Sequence, residues 1–357
     1  MKVETHLPLG KIDPGLRSTQ KIDLGSVPGG AREIEQLGFD GMVTGELKAD
    51  PFIPLALAAT TTERISLTTA VAIAFPRSPM ITAMMSWDLQ ALSRGRFILG
   101  LGTQVKGHIE RRYGIVWAPP VPRLREYIRA LRAIWDCWQN GAPLDVRGAH
   151  YNFSVMVPLF NPGPIAHPRI PIHIAAINKH MCQLAGEMCE GIRPHPITTR
   201  KFITEMMLPN VEVGAKKAGR QLEDFEVAIS PLVAAADSEA ELADRIRDVR
   251  ARIAFYASTR TYKSVFDAHG WGSLVDELHG LSTQQRWEEM PKHVSDEVLE
   301  RIAVVGTWDD VAQKIVERYR DCATRIEFSL PVRGQADRER LCAVIRALQG
   351  GGERRQS

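Results

Sequence analysis

The chain has 357 residues and 44% apolar content, enough for a large buried core. Its 45 Lys and Arg nearly balance 42 Asp and Glu, which leaves no electrostatic footprint for nucleic acid. Five scattered cysteines predict reduced thiols rather than a disulfide framework, and the charged N-terminus lacks an export core. No uncharged apolar run approaches the roughly 20 residues that cross a bilayer, so the expectation is a cytoplasmic protein without membrane partners.

Strand-like and helix-like segments alternate along the chain. Residues 2–6 predict a first strand, 26–37 a helix stopped by the GFDG turn, and 41–44 a second strand. Asp50-Pro51 predicts a helix start, with Asp50 as cap and Pro51 in the first helical position. Residues 67–75 are a mostly apolar third strand that Pro76 and Pro79 end. Residues 82–92 set Met85, Leu89 and Leu92 on one helical face, and 97–101 are the fourth strand, leading into Gly102. An amphipathic helix over 124–138 precedes a predicted hairpin at 144–153. A proline-rich stretch at 158–171 then leads to a fifth strand, 172–175, and a helix through 186. The sixth strand is 191–194, a helix spans 200–218, the seventh strand is 225–235, and 240–255 is helical. Residues 260–300 read as a helical insertion, 306–322 as a helix, 325–330 as the eighth strand, 337–348 as the closing helix and 350–357 as a disordered tail. Eight strands alternating with helices predict an α/β fold, a closed (β/α)8 TIM barrel with its chemistry at the C-terminal mouth. One domain is expected over 1–349, with insertions near 140–170 and 256–300.

Few motifs carry chemistry on their own. Gly100-Leu101-Gly102 lacks the third glycine of a dinucleotide fingerprint, where Val105 stands, and suits a loop that lets a flat ring approach the backbone. His167, His173 and His180 have no metal-ligand spacing, so no metal is expected. Trp135 and Trp138, on the long amphipathic helix, read as packing residues.

Several segments carry a resemblance. TAVAIAFPRSP with LSRGRFILGLG, RLREYIRALRAIWDCWQNG at 123–141, YNF at 151–153 and IHIAAINKHMCQLAGEMCEGI at 172–192 resemble the luciferase-like monooxygenase superfamily. DPFIPLALAATTTERISL, GLGTQVKGHIERRYG and PLFNPGP are similar to a branch assigned to the deazaflavin coenzyme F420. The resemblance runs over about the first two-thirds of the chain. It implies an oxidoreductase that moves a hydride between F420 and a small organic substrate, working as a homodimer. An FMN-dependent monooxygenase using oxygen, and a non-catalytic flavin-binding barrel, are the alternatives.

The resemblance also implies site residues. In deazaflavin relatives the third strand carries a non-proline cis peptide that presses on the central ring; the matching bond here is Ala70–Val71. After the second strand relatives often carry an acid followed by histidine, and here Glu46 keeps the carboxylate while Leu47 removes the imidazole. Gly102, Thr103, Gln104 and His108 match cofactor or substrate contacts, although Val105 replaces a glutamate of the sugar-phosphate branch. These two departures speak against a sugar-phosphate dehydrogenase. Ala175, Ala176, Ile177, Asn178 and Lys179 match the place where backbone N–H groups hold the cofactor phosphate. Relatives favour glycine there; Asn178 tolerates a left-handed backbone better than most residues. His195 is a further cofactor-binding candidate, and Glu46 and His108 are the expected proton-handling residues. Plainer readings stay open: a surface salt bridge for Glu46, a helix-surface histidine for His108, a simple helix start at 175–179.

Overall fold

Strands buried on both faces need apolar or internally paired side chains, and this requirement shapes the principal sheet. The computed structural model describes residues 1–7, 23–329, 332 and 334–350. Its strands are β1 (Lys2–His6), β2 (Gly41–Thr44), β3 (Ser66–Thr69), β4 (Ala72–Ile73), β5 (Phe97–Gly102) and β6 (Ile172–Ala176). Then follow β7 (Gly191–Pro194), β8 (Glu226–Ile229), β9 (Leu232–Ala235), β10 (Ala303–Gly306) and β11 (Arg325–Glu327). All pairings within the sheet are parallel. β11 joins β1 to β8, and both β3 and its continuation β4 meet β5, so eight staves close into a ring. This is the expected (β/α)8 barrel. Its apolar core lies outside the ring, where Leu67, Leu99 and Ile174 meet helices such as Pro79–Leu92 and Pro120–Asn140. Trp135 and Trp138 are buried there, as expected, with Trp138 edge-on to Trp87 at 5.7 Å.

The structure departs from the sequence reading at identifiable residues. The third strand is broken after Thr69 by the cis Ala70–Val71 peptide and resumes as β4. The seventh is also two strands. Pro231 offers no N–H to a ladder, and β9 leaves the barrel to pair with β10 in a separate parallel ribbon. β10 falls where the sequence reading assigned no element, except Gly306, where a helix was expected to start; that helix begins only at Val311. The hairpin at 144–153 reduces to one antiparallel bridge, Val146 with Phe153. The eighth strand ends at Glu327, and Leu330 and residues 351–357 lie outside the described residues.

Helix ends are closer to expectation. Asp50 Oδ1 accepts from the Phe52 and Ile53 N–H groups at 2.8 and 3.3 Å, so it caps as foreseen, while the helix starts at Phe52 rather than Pro51. Helix Pro120–Asn140 stops at Gly141, whose φ of 70° suits a residue without Cβ. The helix from Arg200 to Lys217 widens into a π turn at Ile203–Met207, just before Pro209 removes a backbone donor. The 260–300 insertion is helical, with Lys263–Asp267 and Gly272–Thr283 its main segments before Asp296–Ile302.

Candidate active site

The barrel interior is ionic rather than apolar. Alternation turns Lys2, Glu4 and His6 of β1 inward, and Arg325 and Glu327 of β11 face them. Glu4 is fully buried, paired with Arg193 of β7 and 3.5 Å from Arg325 Nη1. Below it Arg325 Nε donates to Glu226 Oε2 at 2.6 Å, Lys2 Nζ reaches Glu226 Oε1 at 2.9 Å, and Ser66 Oγ accepts from Arg325 at 3.1 Å. His173 Nε2 lies 3.3 Å from Glu226 without hydrogen-bond alignment, and burial pushes this imidazole below its ordinary value.

At the mouth, glycines make room. A Cβ on Gly100 would fall 1.8 Å from the Thr69 carbonyl oxygen, and one on Gly102 would fall 2.5 Å from Val71 Cγ2. The expected cofactor-side residues Ala70, Val71 and Gly102 therefore meet at one place, between β3, β4 and β5. Thr103 and Gln104 follow β5, both half-buried. Gln104 has φ 55°, and its Oε1 accepts from the Val105 N–H at 2.9 Å. His108 is exposed on the short helix Lys106–Arg111.

Glu46 is nearly sealed and has three donors. Its Oε2 accepts from the Ile73 N–H at 2.8 Å and Arg77 Nη1 at 2.6 Å, and its Oε1 accepts from Tyr113 Oη at 2.9 Å. Arg77 also reaches Asp50 at 2.9 Å. The carboxylate thus ties together the segments after β2, β4 and β5. The neighbouring Leu47 is 75% exposed.

The 175–179 segment lies where expected, at the end of β6 and the start of helix Lys179–Met188. Ala175 pairs in register with Arg193, Ala176 and Ile177 are buried, and Lys179 is exposed. The left-handed expectation for Asn178 is corrected: its φ is −94°, an extended cap. Its side chain turns away from the helix to the insertion, accepting from Ser264 Oγ at 3.0 Å and reaching the Thr261 carbonyl at 3.5 Å. The insertion thereby overhangs this part of the mouth. His195, just past β7, stacks on Tyr262 at 4.3 Å and meets Tyr256 edge-on at 4.5 Å. Burial, reinforced by Arg252, lowers it to about 4, so it is neutral at pH 7, and its Nδ1 accepts from the Ile197 N–H at 3.3 Å.

Sequence reasoning missed the two tyrosines, the interior ion pairs and the approach of His6 Nδ1 to Glu327 Oε1 at 3.3 Å. The available signal was charge at every second position of β1, of Arg193 with His195, and of Arg325 with Glu327. No group of acidic, histidine or cysteine side chains suited to a metal occurs among the described residues. A surface cavity of about 570 Å³, beside the C-terminal end of helix Pro120–Asn140, has Cys137 as its one titratable lining residue. It offers no acid–base pair.

A parallel barrel whose mouth is rimmed by titratable groups and a helix N-terminus is the architecture of a barrel enzyme site. The chain belongs to the luciferase-like monooxygenase family, whose model matches residues 7–325. It is 41% identical over 332 residues to an uncharacterised protein of Mycobacterium tuberculosis, covering 91% of this chain and 96% of that one. A second M. tuberculosis protein, provisionally named a coenzyme F420-dependent oxidoreductase, is 30% identical over 302 residues, 79% and 84% of the two chains. Among solved structures, the F420-dependent tetrahydromethanopterin reductase of Methanopyrus kandleri matches with a TM-score of 0.73 at 20% identity, covering 98% of each chain.

Proposed function

We propose that the protein is a coenzyme F420-dependent oxidoreductase that moves a hydride between the deazaflavin and a small organic substrate. The observation that carries the choice of cofactor is the 30% identity with the relative provisionally named for F420. The residues present suit a flat ring, since Gly102 lets the Val71 side chain pack directly on the backbone of β5, a contact that any Cβ would displace, and so sets the wall that Ala70 and Val71 offer.

When bound, the deazaflavin supplies a ring carbon that takes or gives the hydride, and the protein supplies position and electrostatics. Ala70 and Val71 back the ring, while Thr103 and Gln104 offer polar groups to its edge. Ala175, Ala176 and Ile177 lead to the start of helix Lys179–Met188, where first-turn N–H groups and the Lys179 ammonium hold the phosphate. His195, neutral and flanked by Tyr256 and Tyr262, closes the side under the insertion. Glu46 acts as a positioning residue, because its carboxylate is already committed to three donors. His108 stands at the rim as a proton carrier. We take the working form to be a homodimer, supported by exposed Ile53, Ile81 and Met84 on the adjoining helices Phe52–Ala59 and Pro79–Leu92. Light scattering is expected to give the mass of two chains; the mass of one chain contradicts this.

Titrating the apo-protein with F420, read by cofactor fluorescence, tests the placement. Val71→Asp brings a charge against the ring and Gly102→Ala collides with Val71, and each is expected to weaken binding by about tenfold or more. Unchanged affinity in both variants contradicts it.

A further inference from the structure

His195 is the next inward position after Gly191 and Arg193 of β7, at the C-terminal end of that stave. β7 stands three staves from the β3–β4 stave in the ring of eight, so His195 lies nearly opposite the wall of Ala70 and Val71. Two rings fix its orientation. Tyr262 of the insertion stacks on it at 4.3 Å and 28°, and Tyr256 of helix Glu239–Ala257 meets it edge-on at 4.5 Å. The Ile197 N–H donates to Nδ1 at 3.3 Å, which puts the proton of the neutral ring on Nε2. That Nε2 has no hydrogen-bond partner among the described residues, and it is not sealed from solvent. A donor locked on its face and at its other nitrogen, with no acceptor of its own, is set for a ligand. Burial and the Arg252 charge keep the ring uncharged at neutral pH, its value lowered to about 4. The other titratable groups against it are Tyr256 and Tyr262, the latter pushed up to about 12 by burial. Ile197, Thr198 and Thr199 of its own loop bring none.

We propose that His195 Nε2–H is the hydrogen-bond donor to the substrate's carbonyl oxygen, which makes small aldehydes and ketones the substrate class. The proposal rests on the hydride-transfer reading above. An N–H donor beside a hydride's target suits an acceptor atom that gains charge, and a carbonyl oxygen is that atom. In reduction the carbonyl carbon accepts a hydride with its electron pair from the reduced deazaflavin, forming a C–H bond. The C=O π pair moves onto oxygen, where charge develops against Nε2–H. The oxygen then takes a proton from water, leaving hydroxide; the carbonyl compound is reduced and the deazaflavin oxidised. His195 gives up no proton at any stage. Its contribution is a donor already in place when charge develops, which needs no reorganisation.

The donor is read first in the apo-protein with ring-labelled histidine. The His195 resonances are assigned by their loss in His195→Phe, which keeps a ring in the stack. The neutral Nε2–H tautomer is expected from pH 8 down to about pH 5. A proton on Nδ1, or a ring charged above about pH 6, overturns the proposal. In the F420-loaded protein, oxidation of the reduced cofactor by acetone, hexanal or cyclohexanone is followed at saturating cofactor. His195→Phe is expected to lower kcat about 100-fold with little change in KM, and His195→Gln, which restores an N–H, to recover about tenfold of that loss. The Kd of F420 should stay within about twofold of wild type in both variants. Cofactor affinity that falls in step with turnover assigns His195 to the cofactor and overturns the proposal. Turnover equal to wild type, a change in KM alone, no recovery in His195→Gln, or no oxidation by any of the three carbonyls also overturns it. If the wild type fails to bind F420, the hydride reading fails and the donor's role falls with it; the titration separates that failure from the others.

Discussion

Glu226 illustrates what single residues contribute. Barrel interiors are commonly filled by layers of branched apolar side chains, whereas Glu226 here holds Lys2, Arg325 and His173 together. Burial alone would raise its carboxyl, but the close approach of the His173 imidazole, the hydrogen bonds of Arg325 and Lys2 and the charge of Arg325 outweigh it and hold it well below the usual range. A depressed carboxyl contributes stability that is present above its unfolded value of 4.5 and is lost as pH falls toward the depressed value. Thermal melts from pH 7 to 3 should show Tm falling below about pH 4.5 in the wild type. Glu226→Gln should melt lower at pH 7, because it strands Arg325, and should show a weaker acid dependence. Equal acid dependence in the two proteins contradicts this account. The alternation of Lys2, Glu4 and His6 with Val3 and Thr5 was legible as a strand, but its inward charge was not. The partners of Glu4 lie 189 and 321 residues away, at Arg193 and Arg325, and no local pattern announces a contact at that separation.

Among elements, the two helices that follow β6 and β7 show how backbone contact sets the position of a helix start. A Cβ on Gly186 would fall 1.9 Å from the Val211 carbonyl oxygen, and one on Gly214 would fall 1.9 Å from that of Gln183. Helices Lys179–Met188 and Leu208–Lys217 therefore touch backbone to backbone, which fixes where the first turn at Lys179 points. Gly186→Ala must push them apart, at a cost of about 1–3 kcal/mol, measurable by denaturant unfolding. A loss below a few tenths of a kcal/mol would show that the helices yield freely. Both glycines read in the sequence as ordinary helical positions, since close approach of a distant element leaves no periodicity. Strand positions were legible where strands are short, largely apolar runs, as in β2 and β5. Legibility failed at β8 and β9, where Pro231 divides one run into two sheets, and at β10, whose four residues merge with neighbouring helical spacing. The break at Ala70–Val71 was legible through the family resemblance, not through any property of the residues themselves.

For the whole molecule, eight alternations foretold a barrel, and ring closure through β11 accounts for the placement of His6 and Glu327. The insertion between Ala257 and Ala303 was legible as helical, but its seat was not. It packs over the ends of β6 and β7, with Ser264 on Asn178, Tyr262 on His195 and His269 on Thr199. A ligand held beneath it should slow hydrogen exchange across residues 260–283 when F420 is added; exchange unaffected there would remove the insertion from the site. The central claim, that this mouth takes a deazaflavin, is tested most directly by titrating one apo-protein preparation with F420 and with FMN in parallel. The account predicts a Kd for F420 on the order of micromolar and no saturable binding of FMN over the same range. Preference for FMN would contradict it and move the protein to the flavin-dependent oxygenases.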